Sequence, residues 1–249
     1  MIAGVVLMAR DVAGLADFYC AGLGFHRIGD GGPLALGAQR VVLEAATGVD
    51  YPRPWASNDP WFQHMAIVVD DMAAAHRRVL AAGAIAVSLG GPQVLPASSG
   101  GVTAWKFRDP EGHPLELLAF PAGGAPACWR GEGALFRGID HTAIVVADTA
   151  RSEAFYRRLG FERSGGSVNV GAAQAALDGL EAPEVVVTAL SVPGQAAPHL
   201  ELLEYRAPPG VGAGRWALGD VVATRVLVAG VDGVVRDPDG HFVDNGKAR

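Results

Sequence analysis

Apolar positions recur along the chain at two periods, and the two periods alternate. Trp61-Phe62-Gln63-His64-Met65-Ala66-Ile67-Val68-Val69 has the composition and alternation of a strand. In such a strand His64, Ala66 and Val68 share one face, and Met65, Ile67 and Val69 take the other. Asp70 or Asp71 then caps a helix whose Met72, Ala75, Val79 and Gly83 stand at helical spacing. Asp109-Pro110-Glu111-Gly112 reads as a turn, with Pro fixing φ and Gly allowing the tight geometry. It joins two further strands, and the second carries Glu116. Residues 61–121 therefore read as strand, helix and strands, opened by a His and closed by a carboxylate.

The pattern repeats. Asp140-His141-Thr142-Ala143-Ile144-Val145-Val146-Ala147-Asp148 has the same seven-residue step from His to capping Asp as His64 to Asp71. Asp148 to Phe155-Tyr156-Arg157-Arg158-Leu159-Gly160-Phe161 is matched by Asp11 to Phe18-Tyr19-Cys20-Ala21-Gly22-Leu23-Gly24-Phe25. His199-Leu200-Glu201-Leu202-Leu203 echoes Pro114-Leu115-Glu116-Leu117-Leu118. Asp237-Pro238-Asp239-Gly240-His241 echoes Asp109-Pro110-Glu111-Gly112-His113. Four modules follow, at 1–50, 61–121, 137–207 and 218–249.

The end modules are depleted. Gly4 lies seven residues before Asp11 and so stands where His64 and His141 stand. Ala223 takes that position in the fourth module if Val221–Ala229 is its strand. Val231-Asp232-Gly233-Val234-Val235 leaves too little chain for a helix at ~1.5 Å rise per residue, so the fourth module is truncated. The first module has a strand at Ile2–Met8, a helix at Asp11–Leu23 and strands at Leu34–Leu36 and Arg40–Ala45. Residues 51–60 and the Gly90–Gly101 insert are loops by composition, the insert being either a surface loop or a lid. The middle of module three, Gly165–Pro183, reads as irregular.

Bulk properties narrow the function. Of the 249 residues 50% are apolar, which is ample for a core, and the formal charge is −6. No basic run points to nucleic acid. Arg77-Arg78 and Arg157-Arg158 read as solvated helix faces. No apolar stretch approaches the ~20 residues that span a bilayer, and the start lacks the basic region of a signal peptide. Cys20 and Cys128 suggest no disulfide framework, so the expectation is a cytoplasmic protein.

The paired modules, the Phe-Tyr-x-x-Leu-Gly-Phe helix ends and the Asp-Pro-Glu-Gly-His-x-x-Glu hairpin resemble the vicinal oxygen chelate superfamily. That group includes glyoxalase I, methylmalonyl-CoA epimerase, extradiol dioxygenases and the bleomycin and fosfomycin resistance proteins. The resemblance covers nearly the whole chain. It implies an α+β fold of tandem βαβββ modules forming cupped, barrel-like mixed sheets around a metal or ligand. The domains would be 1–121 (modules 1–50 and 61–121) and 137–249 (modules 137–207 and 218–249), with 122–136 as linker. One fold hosts many reactions, so the resemblance does not name one.

The repeated positions nominate His64, Glu116, His141 and Glu201. A lone strand His is more often a hydrogen-bonded residue than a ligand. Two at one module position, each with a later Glu in a Leu-Glu-Leu-Leu run, weigh toward a divalent metal, whether Fe, Zn, Ni, Mn or Co. A carboxylate facing a cup's interior needs a partner, either a metal or an Arg such as Arg225. Glu116 and Glu201 are also the candidate general bases. Asp244 occupies the Glu position of module four, and module one offers Glu44 or, one register over, Val42. His113 and His241 suit hairpin geometry, and His26 and His76 the surface.

Pairing of the modules stays open. If two pairs with three, one cup holds all four ligands and one with four makes an empty cup. If consecutive modules pair, each cup has one His and one Glu. Three functions follow. The first is a metal-dependent lyase, isomerase or epimerase of glyoxalase type, acting on a small oxygen-chelating substrate. The others are an Fe(II)-dependent extradiol-type dioxygenase and a metal-free, ligand-sequestering resistance protein. The partner is a small molecule; nucleic acid and membrane are not expected, and a homodimer is compatible.

Overall fold

The computed structural model describes residues 1–131, 133–210 and 216–246. Residue 132 of the expected linker, residues 211–215 and the end of the fourth module, 247–249, lie outside them. The first module runs β1 (Ile2–Ala9), α1 (Val12–Leu23), β2 (His26–Arg27), β3 (Leu34–Leu36) and β4 (Gln39–Ala45). The second runs β5 (Phe62–Val69), α2 (Met72–Ala81), β6 (Ile85–Ala86), β7 (Gln93–Val94), β8 (Thr103–Arg108) and β9 (Pro114–Ala119). The third runs β10 (Phe136–Val145), α3 (Thr149–Arg158), β11 (Glu162–Val170), α4 (Ala172–Asp178), β12 (Glu184–Ser191) and β13 (His199–Ala207). Among its described residues the fourth has only strands, β14 (Arg225–Val228), β15 (Val234–Arg236) and β16 (Phe242–Asp244).

Asp11, Asp71 and Asp148 each accept a hydrogen bond at the start of α1, α2 and α3, from the amides of Gly14, Ala74 and Arg151. Each such cap contributes about 1 kcal/mol. Residues 229–233 hold no helix, because they are too few to form one between β14 and β15. Residues 165–178 are ordered rather than irregular. Val168 and Val170 extend β11, and Ala172-Ala173-Gln174-Ala175-Ala176-Leu177-Asp178 is α4, a helix too short to show its period in the sequence.

The pairing of modules is central with central and end with end. One sheet has the order β11-β12-β13-β10-β5-β9-β8-β6, with β7 beside β8, and joins modules two and three through the antiparallel β5–β10 pair. The other has the order β15-β16-β14-β1-β4-β3-β2 and joins modules one and four through β1–β14. Among the described residues neither sheet closes into a barrel; each borders a cavity on one face.

The other faces share a core. Met65, Ile67 and Val69 of β5 and Val5, Leu7 and Ala9 of β1 belong to it, with Tyr19, Leu23, Val79 and Tyr156 from the helices. Strand alternation therefore turns His64 and Ala66 toward the cup. No helix among the described residues is long and apolar enough to cross a membrane.

The Asp-Pro-x-Gly-His turns lock consecutive modules. Asp109 accepts from the amides of Glu111 and His113, both at 3.0 Å, and from the Tyr19 hydroxyl of α1 at 3.2 Å. His113 donates from Nδ1 to Asp109 at 2.8 Å and from Nε2 to the Met8 carbonyl at 3.1 Å. Glu111 accepts the amides of Arg10 and Asp11. The same device binds module four to three. Asp237 accepts from the amides of Asp239 and His241 and from the Tyr156 hydroxyl, and His241 Nε2 meets the Val145 carbonyl.

Candidate metal centre

His64 and His141 face each other across the β5–β10 pair. Their Nε2 atoms are 3.0 Å apart. Both imidazoles are placed by a bulge. Ala66 pairs with His141 and Ile67 with Ile139, which leaves Asp140 without a partner. Ala143 pairs with His64 and Ile144 with Phe62, which leaves Gln63 without one. In a regular strand neighbours point to opposite faces; a bulge re-aims one of them. So Gln63 Oε1 reaches His64 Nδ1, and Asp140 Oδ2 reaches His141 Nδ1 at 3.1 Å.

These contacts set the tautomers. The Gln63 amide nitrogen donates to the Ser57 carbonyl at 3.2 Å, so its oxygen faces His64. His64 must then carry its proton on Nδ1, which leaves Nε2 as a bare donor atom. Asp140 holds His141 in the same way and is itself held by the Trp129 indole N–H at 2.6 Å. An outer carboxylate or amide on Nδ1 is the arrangement that orients metal-bound imidazoles.

The carboxylates come from the strands flanking the pair. β9 runs parallel to β5 and sets Glu116 beside Ala66; β13 runs parallel to β10 and sets Glu201 beside Ala143. Glu116 Oε2 is 3.2 Å from His64 Nε2, and Glu201 Oε2 is 3.6 Å from His141 Nε2. Donor atoms of His64, Glu116 and His141 all lie within 4.8 Å of one another. Ligands at ~2.0–2.2 Å from one ion and at right angles to each other stand about 3 Å apart, so these donors fit a divalent ion. Glu201 sits at the edge of the group, shared with His199 at 3.5 Å.

Protonation follows the charges. Burial holds the His64 pKa well below its ordinary value, with Lys106 and His141 pushing the same way. Burial alone would lower His141 too, but Glu201, Asp140 and Glu116 outweigh it and raise its pKa to about 9. A proton on His141 Nε2 would donate to bare Nε2 of His64, and an ion held between the two imidazoles would displace it. Burial raises the Glu116 pKa against the opposing Lys106 and His141 charges. Burial would raise Glu201 as well, but His141 and His199 bring it below the ordinary value.

A cavity of about 300 Å³ opens over these groups, walled by Lys106, Val187, Leu203 and Tyr205. The Gly90–Gly101 insert is part of that wall through Leu95, Ser98, Ser99 and Gly100. Ser99 Oγ bonds Asn169 of β11 at 2.7 Å, which ties the insert across the cup. Lys106 is buried and paired with Asp178 of α4 at 2.7 Å, and Gln174 and Tyr205 also donate to Asp178.

A model of the Glyoxalase/Bleomycin resistance protein/Dioxygenase superfamily matches residues 2–117 and 138–224. The chain belongs to this glyoxalase superfamily. Among solved structures, glyoxalase I from Zea mays is similar, with a TM-score of 0.62 at 17% identity over 97% of this chain and 90% of that one. A candidate dioxygenase from Bacillus subtilis has a TM-score of 0.57 at 15% identity over 97% of this chain and 83% of that one. At these identities the likeness shows the fold. No curated protein matches the sequence.

Within this glyoxalase-superfamily chain, sequence reading missed four residues at the centre. Gln63 and Asp140 precede their histidines, and strict alternation sends them to the wrong face. His199 stands two residues before Glu201, so shared strand facing was a usable signal for it. Lys106 pairs with Glu116 across β8 and β9, a register that no local pattern reveals. Arg225 is not a partner of Glu116 or Glu201; it lies in the other sheet, against Glu44 and Asp244. His113 and His241 serve the turns, His26 is exposed, and His76 packs half-buried against Trp105 with ring centroids 4.4 Å apart.

Proposed function

We propose that the protein is a metal-dependent enzyme of glyoxalase type, a lyase, isomerase or epimerase for a small oxygen-chelating substrate. The observation that carries this reading is the convergence of two oriented imidazole Nε2 atoms, 3.0 Å apart, with Glu116 at 3.2 Å. His64, Glu116, His141 and Glu201 would hold the ion. A bound divalent ion would supply Lewis-acid polarisation of two substrate oxygens. The protein's own groups do the rest. Asp140 and Gln63 fix the imidazoles. Glu116 and Glu201 both face the cavity, and either carboxylate can take a proton from a substrate carbon and return it to a neighbouring one. Val187, Leu203 and Tyr205 would give the reacting carbon a largely apolar wall. Cys20 and Cys128 are unpaired, which suits a reducing cytoplasm.

One feature favours a second reading. The tight group is two imidazoles and one carboxylate, with Glu201 at its edge, and that set suits Fe(II) oxygenases. Anaerobic purification followed by metal analysis separates the two. About one zinc, nickel, cobalt or manganese ion per chain, with turnover of a 2-hydroxyketone or 2-hydroxyacid and no oxygen uptake, supports the first. Iron with oxygen consumption on a catechol supports the second. A chain that binds no divalent ion at micromolar concentration overturns both and leaves a metal-free binding protein.

A further inference from the structure

The cup built by modules one and four has its own cavity, of about 570 Å³. The strand registers align it with the metal cup. In the metal cup Ala66 pairs with His141 and His64 with Ala143; in the other Val6 pairs with Arg225 and Gly4 with Leu227. Gly4 therefore stands in place of His64, and Arg225, not Ala223, in place of His141. The carboxylate positions follow the same way. Ala143 pairs with Glu201 and Leu227 with Asp244; Ala66 pairs with Glu116 and Val6 with Val42. Glu44 lies two residues further, beside Met8.

A buried guanidinium thus occupies one imidazole position. Arg225 is only 5% exposed. Its Nη2 meets Glu44 Oε2 at 2.5 Å, and its Nη1 meets the Met8 sulfur at 3.4 Å. Its Nε is 3.3 Å from Asp244 Oδ2 but out of hydrogen-bond alignment. A guanidinium has five N–H donors, and buried donors without good acceptors are costly. The walls beside it, Val6, Val42, Leu218 and Leu227, are apolar.

We propose that this cup binds an uncharged small molecule with an apolar body and a carbonyl-type oxygen that accepts from Arg225, and that it does so without metal. The charge of the lining decides against ions. Among the described residues of the lining, Arg40 and Arg225 offset Glu44 and Asp244, a formal sum of zero. An anion at Arg225 would meet two carboxylates at the same point, and a cation would meet the guanidinium. Gly4 cannot regain a His there. A Cβ at that position, where φ is +154°, would lie 2.2 Å from the Arg40 carbonyl oxygen.

The test is fluorescence titration with prodan, a neutral naphthyl ketone, against the full chain, with the sulfonate anilinonaphthalene dye as charged counterpart. Saturable, blue-shifted prodan emission at one site per chain is expected, unchanged by EDTA, with the sulfonate at least tenfold weaker. Val42→Trp fills this cavity and should weaken prodan at least tenfold; Leu218→Trp, on a partly exposed wall, replaces it if that variant does not melt cooperatively. Ser98→Trp obstructs the metal cup and should leave prodan binding unchanged. Absence of saturable binding, loss of binding with EDTA or with Ser98→Trp, or tighter binding of the sulfonate overturns the proposal. None of these outcomes depends on the metal centre having the activity proposed for it.

Discussion

At the residue scale, the candidate centre is a matter of which atom of each imidazole is left to bind. Gln63 and Asp140 occupy Nδ1, so Nε2 remains. Replacing His141 with Ala should remove metal and activity together, while His76→Ala should remove neither; metal content per chain after dialysis decides it. Asp140→Asn keeps the shape but loses the charge that orients His141 and raises its basicity. Its metal affinity should fall ~10–100-fold, and a competition titration with a chelator checks this; unchanged affinity would show Asp140 to be a bystander. The sequence made the two histidines legible because each recurs at one place in a repeated unit. It hid Gln63 and Asp140 because a bulge breaks the period of two without leaving a mark in composition. It misplaced the fourth module's position at Ala223 because Val221–Ala229 reads as one strand, whereas pairing begins at Arg225.

At the element scale, the repeated turn is the joint between modules, and it carries a charge. Both His113 nitrogens donate to acceptors, so the imidazolium is the form that fits. Burial alone would lower its pKa, but Asp109 and then Glu111 outweigh burial and leave it raised. A raised folded-state pKa means stability that is full below the unfolded value near ~6.5 and is lost as pH climbs through the folded value. The melting-point gap between wild type and His113→Gln should therefore be widest near pH 6 and shrink at alkaline pH. A gap that is constant with pH would mean the ring acts by packing alone. Tyr19→Phe removes only the hydroxyl that bonds Asp109 and should cost about 1 kcal/mol in denaturant unfolding. Gly4→Ala sets a Cβ against the Arg40 carbonyl at 2.2 Å and should cost at least ~2 kcal/mol. Strands β1, β3, β4, β5, β8, β9, β10 and β13, the three long helices and their Asp caps were legible as alternation, helical spacing and capping chemistry. Helix α4 was not, since its seven residues give too few turns for a period to show.

At the scale of the whole molecule, each sheet draws strands from both halves of the chain. The composition of one half says nothing of its partner, so pairing could not be read until β5 was seen beside β10 and β1 beside β14. Fragments 1–121 and 137–249 expressed together should co-purify one to one and hold metal, whereas each alone presents two unpaired strand edges and should self-associate. Two fragments that stay monomeric and melt cooperatively on their own would contradict this. Sharing both sheets between halves also bears on how such a chain can diverge. A dimer of identical two-module chains obeys a two-fold axis, so any substitution enters both cups at once. Joined through residues 122–136, the halves escape that symmetry. One cup can keep two imidazoles while the other trades its pair for Gly4 and Arg225, and neither change is copied into its counterpart. Inheritance of the two cups becomes separable, and a mutation fatal to chemistry in one is free to become a specificity in the other.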